Sequence, residues 1–133
     1  MKIALIAHDA RKKLMQNFCI AYRGILSKHE VYVTGTTGRL IEEVTNLNVH
    51  KLLAGNLGGE QQIGIQIEHN QIDMVIFLRD PLNPMTHEVD ASNVLRLCDM
   101  HNIPLATNLA SAELLIKSLE RGELEWREVV NKQ

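Results

Sequence analysis

Five short apolar runs, each followed at once by polar residues, constrain the fold of this chain more than any other feature. The runs have strand length, and the run at residues 2–7 is continuously apolar, as in strands that are covered on both sides. They span residues 2–7, 30–34, 49–53, 72–78 and 103–107. Helical patterns separate them, the first with a stripe of Leu14, Phe18, Ala21 and Ile25. Strands that alternate with helices predict an α/β fold, a doubly wound sheet of five parallel strands.

The polar residues that follow the strands form five clusters. These clusters span residues 8–13, 34–38, 54–62, 79–90 and 107–108. In an open α/β sheet, ligands bind in the crevice beyond the carboxyl ends of the strands. We therefore expect one pocket to collect all five clusters.

The second cluster contains Thr34, Gly35, Thr36, Thr37 and Gly38, between a predicted strand and a predicted helix. A turn of glycines and threonines would let a ligand approach the backbone and would supply hydroxyl donors. The amides at the start of the helix would lie at the positive end of its dipole, which predicts a phosphate-binding loop without a Walker lysine. The alternative is an ordinary helix N-cap, because Thr and Gly are common capping residues.

Composition narrows the class of protein. A chain of 133 residues with 45% hydrophobic and 23% charged residues is typical of one soluble globular domain, here residues 1–133 with a polar tail from about residue 123. A net charge of −2 and 4% aromatic residues argue against a nucleic-acid partner, and no apolar run is long enough to cross a membrane. We expect a cytoplasmic protein in which Cys19 and Cys98 are reduced and buried.

Lys12, His8 and His87 are the basic candidates for chemistry. Lys12 could neutralise a phosphate, or it could be a solvated charge on a helix. A neutral imidazole at a strand end, as expected for His8, could polarise a carbonyl or move a proton between oxygens. The alternative for either histidine is a loop side chain held by hydrogen bonds.

Four carboxylates lie near predicted strand ends: Asp9, Glu60, Asp80 and Asp90. Glu60 follows two glycines and is expected at a helix N-terminus, where the dipole favours its carboxylate form. Asp9 could cap the first helix and Asp90 a later one, and Asp80 before Pro81 could form a turn. Together with His87, Asp80 and Asp90 could also bind a divalent metal, although no second histidine stands at helical spacing.

The order of the motifs resembles that of the methylglyoxal synthase family over nearly the whole chain. The motifs are Ile-Ala-Leu-Ile-Ala-His-Asp (3–9), Thr-Gly-Thr-Thr-Gly (34–38), Gly-Gly-Glu-Gln-Gln (58–62), Phe-Leu-Arg-Asp-Pro-Leu (77–82) and Ile-Pro-Leu-Ala-Thr-Asn (103–108). The resemblance implies a flavodoxin-like, doubly wound sheet. It also implies a lyase without metal or cofactor that converts dihydroxyacetone phosphate to methylglyoxal and inorganic phosphate, in homohexamers that phosphate inhibits.

The resemblance also implies roles for residues. The phosphate would be held by Lys12, Thr34, Gly35, Thr36, Thr37 and Gly55, with Ala54 where the family usually has serine or proline. His8 and His87 would contact substrate oxygens, and Asp9, Asp80 and Asp90 would orient the site. The family's catalytic base is an aspartate at the position of Glu60, which we expect to remove the proton here. A phosphate-sensing regulatory domain of the same fold, without turnover, is the alternative.

Overall fold

The computed structural model describes residues 1–52, 59–82 and 91–131, with only the backbone described at residues 59, 60, 91, 92 and 131. The strands are β1 (Lys2–Ala7), β2 (Glu30–Thr34), β3 (Val49–Leu52), β4 (Met74–Leu78) and β5 (Leu105–Ala106). The helices are α1 (Lys12–Ala21), α2 (Arg23–Leu26), α3 (Gly35–Thr45), α4 (Gly59–Glu68), α5 (Ala91–Met100), α6 (Leu109–Glu120) and α7 (Trp126–Asn131). A single 3-10 turn, Asp9–Arg11, joins β1 to α1.

The five strands of the described residues form one parallel sheet in the order β3-β2-β1-β4-β5. The chain moves outward from β1 to β3, returns to the other side of β1 for β4, and then moves outward again. The predicted doubly wound, five-stranded parallel architecture is therefore confirmed. The direction reverses between β1 and β4, whereas in flavodoxin itself it reverses between β1 and β3.

Helices cover the sheet on both faces, because alternate residues of each strand point to opposite sides. Ile3 and Leu5 of β1 belong to a buried cluster that also includes side chains of α1, α3 and α6. Ala4 and Ile6 belong to a second cluster with side chains of α4 and α5. β1 is thus apolar on both faces and β4 is buried along its whole length, which explains the continuous apolar runs of these two strands.

The first helical pattern differs in detail from its prediction. Phe18 is buried as expected, but Ala21 is exposed, and Met15 and Cys19 complete the buried stripe. The helix also ends at Ala21, before the short α2. The predicted stripe and the observed stripe both have helical spacing. Only the packing against α3 determines that the buried stripe begins one residue later than predicted.

Both cysteines are free and buried, as predicted. Burial raises the pKa of the Cys19 thiol to about 12. The pKa of Cys98 is likewise raised to about 12, by burial first and by the neighbouring charge of Asp99 second. Neither thiol is a nucleophile at neutral pH, because the thiolate is the reactive form.

Helix α7 lies in the segment predicted as a polar tail. Its Arg127 is only 2% exposed and donates hydrogen bonds to the backbone oxygen of Asn102 at 2.7 Å and to Oδ1 of Asn70 at 3.0 Å. Its Nε lies 3.5 Å from a carboxylate oxygen of Asp73, close enough for the charges to attract but without a hydrogen bond. These contacts attach the last helix to the amino edge of the sheet. Within the described ranges, no helix is long and apolar enough to span a membrane.

Candidate active site

The carboxyl edge of the sheet brings several predicted site residues together. His8 follows β1, Thr34 ends β2 and Arg79 follows β4. The register pairs Ala7 with Leu78, so His8 and Arg79 leave the sheet side by side. This is the point at which the winding direction reverses, where open α/β sheets form their ligand crevice.

Hydrogen bonds between β1 and β4 hold the imidazole of His8 at this point. The His8 amide donates to the Leu78 carbonyl at 3.1 Å, and the Asp80 amide donates to His8 Nδ1 at 3.0 Å. His8 is 9% exposed, and its ring meets the Phe77 ring edge to face, with centroids 5.2 Å apart. Because Nδ1 accepts a hydrogen bond, the neutral ring carries its proton on Nε2. His8 thus combines the two interpretations of the sequence: it is a histidine held by hydrogen bonds, and it presents one defined donor.

Asp80 belongs to a tight turn, as one interpretation of the sequence predicted. Its Oδ1 accepts a hydrogen bond from the Leu82 amide at 3.0 Å, the pattern of an Asx turn around Pro81. The turn fixes the direction of the Asp80 amide and hence the hydrogen bond to His8. Asp80 therefore orients the histidine through its backbone, while a direct role for its carboxylate stays a prediction.

Asp9 does not cap the first helix, contrary to the prediction. It is the first residue of the 3-10 turn, whose N-cap is His8, and the N-cap of α1 is Arg11; neither N-cap side chain makes a capping bond. The Asp9 carboxylate instead lies 2.7 Å from Lys12 Nζ, one turn further along. Since Lys12 is 23% exposed and Asp9 is 69% exposed, the pair attracts through water-screened charge. Lys12 is thus a partly buried, ion-paired cation at this edge, and its predicted contact with phosphate is not tested by these contacts.

Helix α3 begins directly at the end of β2, without the predicted intervening turn. Thr34 is its N-cap, with extended backbone angles (φ −67°, ψ 150°), and its side chain makes no capping hydrogen bond. Gly35, Thr36 and Thr37 form the first helical turn, in which Thr36 is exposed and Thr37 is buried. The first amides of α3 therefore face the carboxyl edge without a cap from the N-cap side chain.

Gly38 has a packing role that the sequence interpretation did not foresee. A Cβ atom at this position would lie 2.7 Å from Cγ of Lys51, whose Nζ then reaches the Glu42 carboxylate at 2.8 Å. The glycine makes room for a side chain of β3. Among the described glycines, the left-handed backbone occurs at Gly122, which ends α6 as predicted.

Several predicted site residues lie outside the part of the chain that is described. These are Ala54, Gly55, His87 and Asp90, together with the side chain of Glu60. The backbone of Glu60 is the second residue of α4, so the predicted helix N-terminal position of this residue is confirmed. A carboxylate there is stabilised by the helix dipole.

Two arginines near His8 were not singled out from the sequence. Arg11 Nε donates to the Arg79 carbonyl at 3.1 Å. Both residues line a cavity of about 400 Å³ with Leu14, Leu78, Pro81, Thr107, Asn108 and Leu109. Each arginine closely follows a strand that ends at this edge, which is the signal that could have marked them. In the described ranges, His, Cys, Asp and Glu side chains form no group of three or more that could hold a metal ion.

Fold and site together define a class: a doubly wound α/β protein with a fixed imidazole, a lysine and a helix N-terminus beyond the carboxyl ends of its strands. Comparison with known proteins identifies the family. The family description "MGS-like domain" matches residues 16–107. The methylglyoxal synthase of Caldicellulosiruptor saccharolyticus is 68% identical over 131 residues, which cover 98% of this chain and 93% of the relative. That of Thermoanaerobacter sp. (strain X514) is 61% identical over 132 residues, covering 99% of this chain and all of the relative.

A solved structure supports the same assignment. The crystal structure of methylglyoxal synthase from Elizabethkingia anophelis NUHP1 superposes with a TM-score of 0.83 and 41% identity, covering 86% of this chain and 76% of that chain. The chain belongs to the methylglyoxal synthase family.

Proposed function

We propose that this chain is a lyase that converts dihydroxyacetone phosphate to methylglyoxal and inorganic phosphate. Membership of the methylglyoxal synthase family supports the reaction. The observation in the structure that carries the proposal is the imidazole of His8, held by the Asp80 amide so that its Nε2 is the donor. A neutral donor of this kind is suited to an oxygen on which negative charge develops.

The first step of the proposed reaction is the removal of a proton from the hydroxymethyl carbon next to the carbonyl. Glu60 would accept this proton, and the two electrons of the C–H bond would form an enediolate. A glutamate removes a similar proton in triosephosphate isomerase. His8 Nε2 and, by resemblance, His87 would donate hydrogen bonds to the enediolate oxygens.

The second step is the loss of phosphate. The enediolate electrons re-form an aldehyde carbonyl and a new C–C double bond as the bond between carbon and the phosphate oxygen breaks. The product of this step is the enol of methylglyoxal, which loses its hydroxyl proton and gains a proton at its methylene carbon to give methylglyoxal. The amides of Gly35, Thr36 and Thr37, together with Lys12, would hold the leaving phosphate. A helix N-terminus favours anions, and an ammonium group adds a charge-assisted hydrogen bond. Thr34, Gly55 and Ala54 complete the proposed phosphate site.

The wider assignments also belong to this proposal. We propose that the chain forms one domain, acts in the cytoplasm without metal or cofactor and assembles as a homohexamer that inorganic phosphate inhibits. Asp9, Asp80 and Asp90 would orient the catalytic groups. The methylglyoxal produced would place the enzyme in a bypass of glycolysis.

The test is formation of methylglyoxal and phosphate from dihydroxyacetone phosphate in the presence of EDTA. We expect the wild type to be active, Glu60→Gln to lose at least about 1,000-fold in kcat, and Glu60→Asp to retain turnover. Glu68→Gln is the matched control, because Glu68 is an exposed glutamate at the other end of α4. A wild type that binds phosphate but is inert would instead support a phosphate-sensing domain, and activity lost with EDTA would support a metal-dependent reaction.

A further inference from the structure

A single peptide group, between Arg79 and Asp80, connects two side chains at the carboxyl edge. Its N–H belongs to Asp80 and donates to His8 Nδ1 at 3.0 Å. Its carbonyl belongs to Arg79 and accepts from Arg11 Nε at 3.1 Å. The guanidinium and the imidazole are therefore joined through one amide, although neither side chain needs to touch the other.

The connection closes into a ring of hydrogen bonds around the point where the winding direction reverses. The Arg11 amide donates to the His8 carbonyl at 2.8 Å through the 3-10 turn, and the His8 amide donates to the Leu78 carbonyl at 3.1 Å. Arg11 is thus fixed to His8 by the backbone at one end and by the Arg79–Asp80 peptide at the other. Such a ring sets the position of the imidazole relative to both β1 and β4.

A charged donor at a carbonyl changes what the same amide can do at its nitrogen. The guanidinium draws electron density toward the carbonyl oxygen, so the N–H becomes a stronger donor, by about 10–30% per bond in such chains. A stronger donor at Nδ1 favours the ring form in which Nδ1 is an acceptor and Nε2 carries the proton. Loss of the guanidinium would leave the N–H in place, but its hydrogen bond to Nδ1 would be weaker and would stabilise this tautomer less.

We propose that Arg11 is a positioning residue for His8, which acts through the Arg79–Asp80 peptide to keep the imidazole proton on Nε2. The proposal rests on the lyase function only for its kinetic consequence, because the hydrogen-bond chain exists in the protein without substrate. Since Arg11 acts through another group, its loss lowers turnover more than it lowers substrate binding.

Arg11→Met tests the proposal because it keeps the length of the aliphatic stem and removes the donor. Arg11→Lys restores a donor, and Lys13→Met removes an equal charge from an exposed position of the neighbouring helix. Turnover of dihydroxyacetone phosphate is measured for each variant. The ¹⁵N shifts of the His8 ring nitrogens, which report where the proton resides, are recorded without substrate.

For Arg11→Met we expect kcat to fall about tenfold with KM changed less than about twofold, a modest effect because the Asp80 N–H remains. The ring shifts should move toward a mixture of tautomers, and both quantities should recover in Arg11→Lys and stay at wild-type values in Lys13→Met. A raised KM with unchanged kcat would overturn the proposal, since Arg11 would then bind substrate directly. Unchanged ring shifts in Arg11→Met would also overturn it. A wild type without lyase activity would overturn the proposed function alone, and the ring shifts would still decide the role of Arg11.

Discussion

The helix ends at the two edges of the sheet differ in the side chains that bind to them. At the amino edge, α4 and α5 end in left-handed asparagines, Asn70 (φ 53°) and Asn102 (φ 56°), and the buried guanidinium of Arg127 bonds to both residues. A cation thus neutralises the negative ends of two helix dipoles. At the carboxyl edge, α3 begins at Gly35 with no capping bond from Thr34. Among the described residues, helix ends at the amino edge have side-chain partners, whereas the N-cap side chain of α3 makes no capping bond at the position where we propose that phosphate binds.

Helix α6 makes the contrast sharper, because it also begins at the carboxyl edge. Its N-cap, Asn108, accepts a hydrogen bond from the Ser111 amide at 3.0 Å. The lack of a capping bond from the N-cap side chain of α3 is therefore not a property of this edge as a whole. It distinguishes the helix that follows β2 from the helix that follows β5.

The largest effect on stability should come from removing the buried contacts of Arg127 at the amino edge of the sheet. Arg127→Met leaves the Asn102 carbonyl and the Asp73 carboxylate without their buried partner, so we expect a loss of about 3 kcal/mol in the free energy of unfolding. Urea unfolding measures this loss. The kcat of the folded enzyme should be unchanged, because the proposed catalytic groups lie at the other edge.

Arg121→Met is the control for this substitution. Arg121 pairs with Glu123 at 2.8 Å on the surface, and its removal should leave the urea midpoint unchanged. Equal losses in the two variants would show that burial of Arg127 is not what stabilises the amino edge.

The next effect concerns the affinity for phosphate at the N-termini of two helices at the carboxyl edge, α3 and α6. Thr36 and Ala110 are exposed and are the second residues of α3 and α6, respectively. Thr36→Asp places a carboxylate where phosphate is proposed to bind and should weaken its affinity on the order of 100-fold. Ala110→Asp should leave the affinity unchanged. Calorimetric titration with inorganic phosphate measures both, and equal weakening would remove the distinction between the two helices.

A smaller effect should follow from removing the cap of α6. Asn108→Ala deletes the acceptor of the Ser111 amide and should lower stability by about 1 kcal/mol, whereas Asn108→Asp should retain the cap. Thermal or urea unfolding resolves this difference. Phosphate affinity should be the same in both variants, and a change in the alanine variant alone would assign the α6 terminus to the ligand site.

The smallest effect is a pH dependence that arises at the amino edge. Burial, then the charge of the Met1 amino group and then Lys28, lower the pKa of His29 below its ordinary value of 6.5, against weaker attraction from Glu128 and Asp73. His29 Nδ1 lies 3.1 Å from the Met1 nitrogen. The unfolded chain therefore binds a proton more readily, and stability falls as the pH drops through this value. Unfolding from about pH 7.5 to about pH 5.5 should show a smaller loss in His29→Gln than in the wild type.

Much of the fold could be predicted from the sequence, because each βα unit repeats one local pattern. An apolar run of strand length, the polar residues that follow it and a helical stripe of apolar residues are all visible within about 30 residues. The predicted ends of the strands and helices were less accurate than their order. The boundary between β2 and α3 was misplaced because Thr and Gly suit both a turn and a first helical turn.

The candidate site was predictable where its residues follow strands, since parallel strands end at one edge. His8 and Asp80 were found in this way, although the backbone bond that joins them could not be. Arg11 and Arg127 donate to backbone carbonyls or side chains that are distant in the sequence, the Arg79 carbonyl among them, and such partners leave no local pattern. Arg127 bonds to residues 25 and 57 positions away.

The bond between His8 and Asp80 joins residues 72 positions apart and crosses from β1 to β4. At about 5–20 residues per second, a ribosome synthesises β4 several seconds after β1. During that interval β2 can pair with one side of β1, while the other side presents open hydrogen-bonding groups along an apolar strand. Such an edge is prone to pair with other chains. When β4 docks, a nascent chain therefore forms the hydrogen bond to His8 and closes this open edge of β1 in one late event.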